Sequence, residues 1–248
     1  MAPPKKTNQL TLKDWRDVKL IDEKVVHDDS TIEGATAQRY VNMDAELRYA
    51  MSLCKPGGLC MEFGVFKGWT INKCAEILPN QHFWGFDSFE GLPEKWIVVD
   101  PKDPRVYKCK TIDKGHFALD QLPEVRDNVS LVKGFFDQSL EPWMKENIKP
   151  DSKISWLHLD ADLYSSTIYV LEKLNNYIVP GTIIRFDELV DWRLEQFPCH
   201  GHKRPKPKYS NWREGEWKAM NEWLKKYDRQ IQPLWRDWHQ CAGARVIK

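Results

Sequence analysis

The chain has 248 residues, 42% of them apolar and 29% charged, with a formal net charge of +1. That length suits one large α/β domain or two small ones, and the composition is ordinary for a globular protein. A charge near zero supplies no overall field for nucleic acid or an anionic membrane surface, and no run of about 18 apolar residues offers a membrane span.

The basic start, MAPPKKTNQL, is not followed by an apolar segment of the secretory kind. The six cysteines, at 54, 60, 74, 109, 199 and 241, form no Cys-x-x-Cys pair. They read as buried free thiols of a reducing compartment, so a cytoplasmic protein is expected. Residues 1–37 are polar and weakly patterned, an N-terminal arm of partly irregular structure. Residues 38–248 read as a single domain.

From Gln38 to Leu53, apolar residues recur at helical spacing, and Lys55-Pro-Gly-Gly58 ends the helix. Short apolar runs then alternate with helical stretches. LCMEFGV is a strand, WTINKCAEIL a helix, HFWGFD a strand and VSLVKGFF a third strand. ISWLHLD and GTIIRFD are the fourth and fifth, separated by the helical YSSTIYVLEKLNNYI. Such alternation predicts βαβ units in a parallel sheet with right-handed crossovers. The basic, proline-rich CHGHKRPKPKYSNW reads as a loop or lid. EWKAMNEWLKKY is an amphipathic helix, and IQPLWRDW and CAGARVIK are closing strands. Six of the twelve tryptophans follow Leu189; closing a core outweighs lining a pocket as their role.

Two local patterns carry chemistry. Glu62-x-Gly64-x-x-x-Gly68 lies between the first strand and its helix, where glycine lets backbone approach a ligand and the helix N-terminus favours anionic groups. The spacing is not that of a dinucleotide fingerprint. Asp87, at the tip of the second strand, is placed to accept hydrogen bonds from two ribose hydroxyls. Together they predict a nucleoside cofactor at the carboxyl ends of the strands. The second pattern is acidic. Asp160 closes the fourth strand, and Asp187 and Glu188 close the fifth. If those strands are neighbours, three carboxylates converge and repel unless neutralised, and a hard divalent cation such as Mg²⁺ is the expected partner. Asp162 is expected to cap the following helix. The Cys199-His-Gly-His202 cluster lacks a second ligand pair at zinc spacing and is read as loop.

EFGVFKG, GFDSFEGLP, VKGFFDQSL, LDADLYSST and RFDEL occur in an order that resembles the macrocin O-methyltransferase family of class I S-adenosylmethionine-dependent methyltransferases. The resemblance runs from about Thr31 to Glu188. It implies a Rossmann-like, seven-stranded, mostly parallel α/β sheet flanked by helices, with the last strand antiparallel and an N-terminal helical extension. By position it implies Glu62, Gly64 and Gly68 around the methionine part of S-adenosylmethionine, Asp87 and Ser88 on the ribose, and Gly134 and Phe135 beside the adenine. Asp160, Asp187 and Glu188 fall at the family's Mg²⁺ position. Related catechol-type enzymes carry a lysine where this chain has Leu163, so no lysine base is expected. Asp160 is then the candidate for both metal binding and proton removal.

The expected reaction is methyl transfer to a hydroxyl of a small molecule: a sugar, diol or catechol-like acceptor. A homo-oligomer is compatible with the sequence. The rivals are a metal-independent O- or N-methyltransferase, a cofactor-binding protein without catalysis, and an RNA-binding module built on Lys203, Arg204, Lys206 and Lys208. The last carries least weight, because such charge runs are more often solvated loops.

Overall fold

The computed structural model describes residues 9–21, 32–99, 102, 110–192, 195 and 209–248. The CHGH cluster, the four basic residues of the RNA reading, Cys109 and the first eight residues of the arm therefore lie outside the described residues, as do residues 22–31.

Among the described residues, ten strands and five α-helices follow in chain order: β1 (Lys19–Leu20), α1 (Ile32–Leu53), β2 (Leu59–Phe63), α2 (Trp69–Ile77), β3 (Phe83–Asp87), β4 (Trp96–Val99), β5 (Lys110–Ile112), β6 (Val129–Lys133), α3 (Phe136–Asn147), β7 (Ile154–Leu159), α4 (Tyr164–Leu174), β8 (Ile183–Phe186), α5 (Glu216–Lys226), β9 (Ile231–Arg236) and β10 (Ala242–Val246). Eight strands form one sheet in the order β1-β9-β10-β8-β7-β2-β3-β6, and β4 and β5 make a separate hairpin. β10 runs antiparallel to both neighbours, β8 and β9, while the remaining pairs are parallel.

The expected sheet thus gains one strand, the two-residue β1, which pairs with β9. The N-terminal stretch holds on further through Trp15, fully buried and 6.1 Å from the Trp192 ring. Helix α1 begins six positions before the apolar periodicity that announced it. The run VSLVKGFF splits: Gly134, at φ 138°, ends the strand and α3 starts at Phe136.

The central strands read as continuous apolar runs because both faces are covered; all six residues of β7 are buried. One face packs Phe63, Phe86, Leu157, Leu159 and Phe186 against α3, α4 and α5. The other packs Cys60, Phe83, Trp156 and Ile183 against α1 and α2. Of the twelve tryptophans, Trp15, Trp156, Trp192, Trp212, Trp223 and Trp235 are among the largest fully buried side chains and Trp96 and Trp143 are also buried, so most of them close the core. The four described cysteines are free thiols. No described helix is long and apolar enough to cross a membrane.

Strand order reverses at β2: the chain builds outward to β3 and β6, then returns to β7 on the other side. Ligands of such sheets bind at that switch, at the carboxyl ends of the strands. Packing at the far side is equally tight. A Cβ on Gly243 would stand 1.9 Å from the buried Trp235 ring, whose Nε1 donates to Glu46 at 2.9 Å. Gly243→Ala should therefore cost about 1–3 kcal/mol through overpacking, read as a lowered midpoint in thermal or urea unfolding; an unchanged midpoint would show that β9 and β10 separate without resistance.

Candidate functional site

At the end of β2 the chain must turn against β7. Asp160 N–H donates to Phe63 O at 2.9 Å, and an ideal Cβ on Gly64, at φ 94°, would lie 1.8 Å from Asp160 O. Only glycine fits there. Gly64 N–H donates to Phe86 O at 2.9 Å, and Gly68, at φ 76°, caps α2.

Asp87 fixes this turn. Its Oδ2 accepts from Val65 N at 2.9 Å and Phe66 N at 2.8 Å, and its Oδ1 from Phe89 N at 2.7 Å. Phe66 and Phe89 sit at φ 48° and 54°, a left-handed conformation uncommon for bulky residues, and the Asp87 carboxylate is what holds both. Three of its roughly four acceptor positions are thereby used on backbone. Ser88 serves the same loop: its Oγ donates to Gly91 O at 2.9 Å and accepts from Glu90 N at 3.1 Å. Gly134 N–H donates to Asp87 O at 2.9 Å, which brings Gly134 and Phe135 beside the β3 tip. Glu62, the residue two before Gly64, has its Oε1 buried without a hydrogen-bond partner. It points into the α1 side of the sheet, where its Oε2 accepts from His158 Nδ1 at 2.9 Å.

The acids gather one strand over. Asp187 N–H donates to Leu159 O at 2.9 Å, which sets the ends of β7 and β8 side by side. Two overlapping groups of potential ligand atoms, each within 4.8 Å of one another, result: His158, Asp160 and Asp187, and Asp160, Asp162 and Glu188. Asp162 is therefore no helix cap. The cap position of α4 is Leu163, without a side-chain bond, and Asp162 at φ 60° joins the acids instead. A fifth carboxylate, Glu216, comes from the start of α5 and accepts from Glu188 N at 3.0 Å. Nothing in the amphipathic pattern of α5 announced it.

Crowding and burial act on these groups in one direction. Desolvation first, then repulsion by Asp187, raises the Asp160 pKa to about 7. Glu216 is raised to about 8 by burial, against the relief from the Glu188 N–H. Burial followed by neighbouring carboxylates also pushes Asp162 and Glu188 well up. Glu188 Oε2 is buried with no hydrogen-bond partner.

Beneath the acids runs a charged row. Register aligns Glu62 with His158, His158 with Arg185, and Arg185 with Gly243. Arg185 is fully buried; its Nε and Nη2 donate to Glu46 at 2.9 and 3.1 Å, and its Nη1 donates to Asp187 Oδ1 and His158 Nε2. Burial and the Arg185 charge disfavour an imidazolium at His158, whereas Glu62 and Asp187 favour it and lift its pKa to about 9. The guanidinium has only donors, so its contact with Nε2 nevertheless requires a lone pair, and that geometry is the neutral ring with its proton on Nδ1.

A family model for macrocin-O-methyltransferase (TylF) matches residues 35–197. The chain belongs to the macrocin-O-methyltransferase family. A Streptomyces olivaceus protein, 8-demethyl-8-(2,3-dimethoxy-alpha-L-rhamnosyl)-tetracenomycin-C 4'-O-methyltransferase, is 30% identical over 145 residues, 54% of this chain and 53% of that protein. The chain thus matches about half the length of this curated relative. The crystal structure of the calicheamicin methyltransferase CalS11 is 25% identical, with a TM-score of 0.56 over 87% of this chain and 80% of that one. The O-methyltransferase NovP, at 16% identity and a TM-score of 0.50 over 83% and 79% of the two chains, shares the fold. Within this family member the matched segment contains the glycine turn, Asp87 and the acids up to Glu188, whereas Glu216 and the closing strands lie beyond it.

Two outcomes follow from the geometry. Asp87→Ala removes one acceptor from three backbone N–H groups, so it should loosen the glycine turn and weaken nucleoside binding by about tenfold or more; calorimetric affinity equal to wild type would exclude Asp87 as the clamp. The acids with raised pKa bind more protons folded than unfolded, so stability without a divalent cation should fall as pH rises from about 4 toward 8. Thermal unfolding in EDTA across that range checks the sign, and a midpoint that rises instead would contradict it.

Proposed function

We propose that the chain is an S-adenosylmethionine-dependent O-methyltransferase that uses a divalent cation, best matched by Mg²⁺, to methylate a hydroxyl of a small sugar-bearing or diol-like acceptor. The observation that carries this reading is the contact of Gly64 with Asp160, which puts the turn suited to the cofactor against the acids suited to the cation.

The residues fit both groups. The Gly64–Gly68 turn and the Gly134–Phe135 bend lie at neighbouring strand ends on either side of the β3 tip, where S-adenosylmethionine would supply an activated methyl group on its sulfonium. Asp87 acts there mainly by holding the turn, with at most one acceptor position left for ribose; Ser88 supports the loop, and Glu62 acts from beneath through His158. Asp160, Asp162 and Glu188 form an all-oxygen set with one orphaned buried oxygen, as a hard cation requires, and Asp187 flanks it. A divalent cation held by these residues would lower the pKa of an acceptor hydroxyl.

What the chain itself does is orient and hold protons. Asp160, partly open to solvent and shared by both acid groups, is assigned to receive the acceptor's proton. Buried Glu216 fixes Glu188 through its backbone N–H. A set of several oxygen ligands suits an acceptor with two adjacent oxygens. Sugar acceptors are supported by the relative named for a rhamnosyl tetracenomycin. The free thiols fit a reducing compartment.

Titration of S-adenosylmethionine into the protein, followed by methyl transfer to a panel of sugar vicinal diols with Mg²⁺ or EDTA, tests the reading. One-site cofactor binding is expected, with turnover abolished by EDTA and lowered about 100-fold or more in Asp160→Asn. Turnover unaffected by EDTA and by Asp160→Asn would leave the metal-independent methyltransferase as the answer. Absence of cofactor binding would overturn the proposal entirely.

A further inference from the structure

A polar row crosses the α1 face of the sheet at the last register before the site. Pairing sets Gly85, Glu62, His158, Arg185 and Gly243 side by side on β3, β2, β7, β8 and β10. Four of them stand two positions before a residue of the site: Gly85 before Asp87, Glu62 before Gly64, His158 before Asp160 and Arg185 before Asp187. Two positions further from the strand ends, the same face carries Phe83, Cys60, Trp156 and Ile183, all buried in an apolar cluster. An apolar row of similar volume would stabilise the fold as well or better, because buried charges seldom repay their desolvation. His158 is the joint of the row. Its ring is fully buried; Nδ1 donates to Glu62 Oε2 at 2.9 Å, and Nε2 accepts from Arg185 Nη1, the nitrogen that also donates to Asp187 Oδ1. Glu46 holds the other two nitrogens of Arg185 at 2.9 and 3.1 Å.

We propose that His158 is a positioning residue that ties the cofactor half of the site to the acid half: a neutral ring, donor at one end and acceptor at the other, orients Glu62 beneath the glycine turn and the Arg185–Asp187 pair beside Asp160 at once. The inference rests on the cofactor and cation reading above. The backbone contact of Gly64 with Asp160 fixes where the two strands end; His158 fixes how the side chains on either side of that contact are turned. The requirement is chemical rather than volumetric. Leucine fills the space but offers neither bond, and lysine or arginine offers no acceptor. Glutamine, whose amide carries a donor and an acceptor side by side, meets both demands. Outer partners of this kind commonly govern ligand affinity without touching the ligand.

Calorimetry with Mn²⁺ alone and with S-adenosylmethionine alone tests this without any acceptor. Wild type should bind each. His158→Leu should bind both about tenfold or more weakly, and His158→Gln should restore both to near the wild-type affinity. A ring that only filled space would be replaced at least as well by leucine. Glutamine no better than leucine, or wild-type affinity for either ligand in His158→Leu, therefore overturns the inference alone. If His158→Leu does not fold, the ¹⁵N resonances of the wild-type imidazole, assigned by their loss in His158→Gln, decide the matter. The neutral Nδ1–H tautomer is expected, with its resonances shifted by S-adenosylmethionine alone and by Mg²⁺ alone; a different ring state, or a ring that responds to one ligand only, overturns the inference. A wild type that leaves either ligand unbound overturns the reading above together with this inference.

Discussion

Five carboxylates brought to the ends of two adjacent parallel strands cannot all remain ionised in a half-buried site. Repulsion and desolvation together raise Asp160, Asp162, Glu188 and Glu216. Such a cluster is stable only if positive charge or protons fill it. The fold supplies part of that charge itself: Arg185 is driven through the sheet at the register of His158 and meets Asp187. Glu46 on α1 then balances the guanidinium, so the helix that covers this face is bound to the site by charge as well as by apolar packing. The remaining unbalanced acids are where the proposed external cation would sit.

The same crossing of strands joins the two halves of the site. β2 and β7 meet so closely past their ends that Gly64 has no room for a side chain. The cofactor turn and the acids are therefore not separately placed and later aligned; moving one moves the other. Asp87 completes the arrangement by pinning two left-handed phenylalanines on either side of the β3 tip. Strain of that kind persists only where the surroundings determine it fully, and it clusters where a protein handles ligands.

Much of this was legible in the sequence because it is local. Strands buried on both faces read as apolar runs, and acids at their ends stand out against them; hence β2, β3, β6, β7 and β8 and the trio Asp160, Asp187 and Glu188. What escaped depends on register and tertiary packing. Arg185 sits inside an apolar run and Glu46 inside a helix, 139 positions apart, with nothing local to pair them. Asp162 looked like a cap because caps commonly follow strands by two or three positions, and only its backbone angle turns it toward the acids. Glu216 lies on a helix whose amphipathic pattern is satisfied by a solvent-facing acid. α3 was masked by Phe135 and Phe136, whose aromatic character extended the strand pattern past the glycine that ends it.

On the proposed reading, protons hold the acids in the absence of a cation and are exchanged for it. The most direct measurement is Mg²⁺ binding by calorimetry near pH 7 in buffers of different ionisation enthalpy, which counts protons released per cation bound. Release of protons on binding is expected, falling away as the pH is raised above about 8. Binding of Mg²⁺ with no proton release at pH 7 would mean that the acids are already ionised and neutralised by something else, and would contradict it.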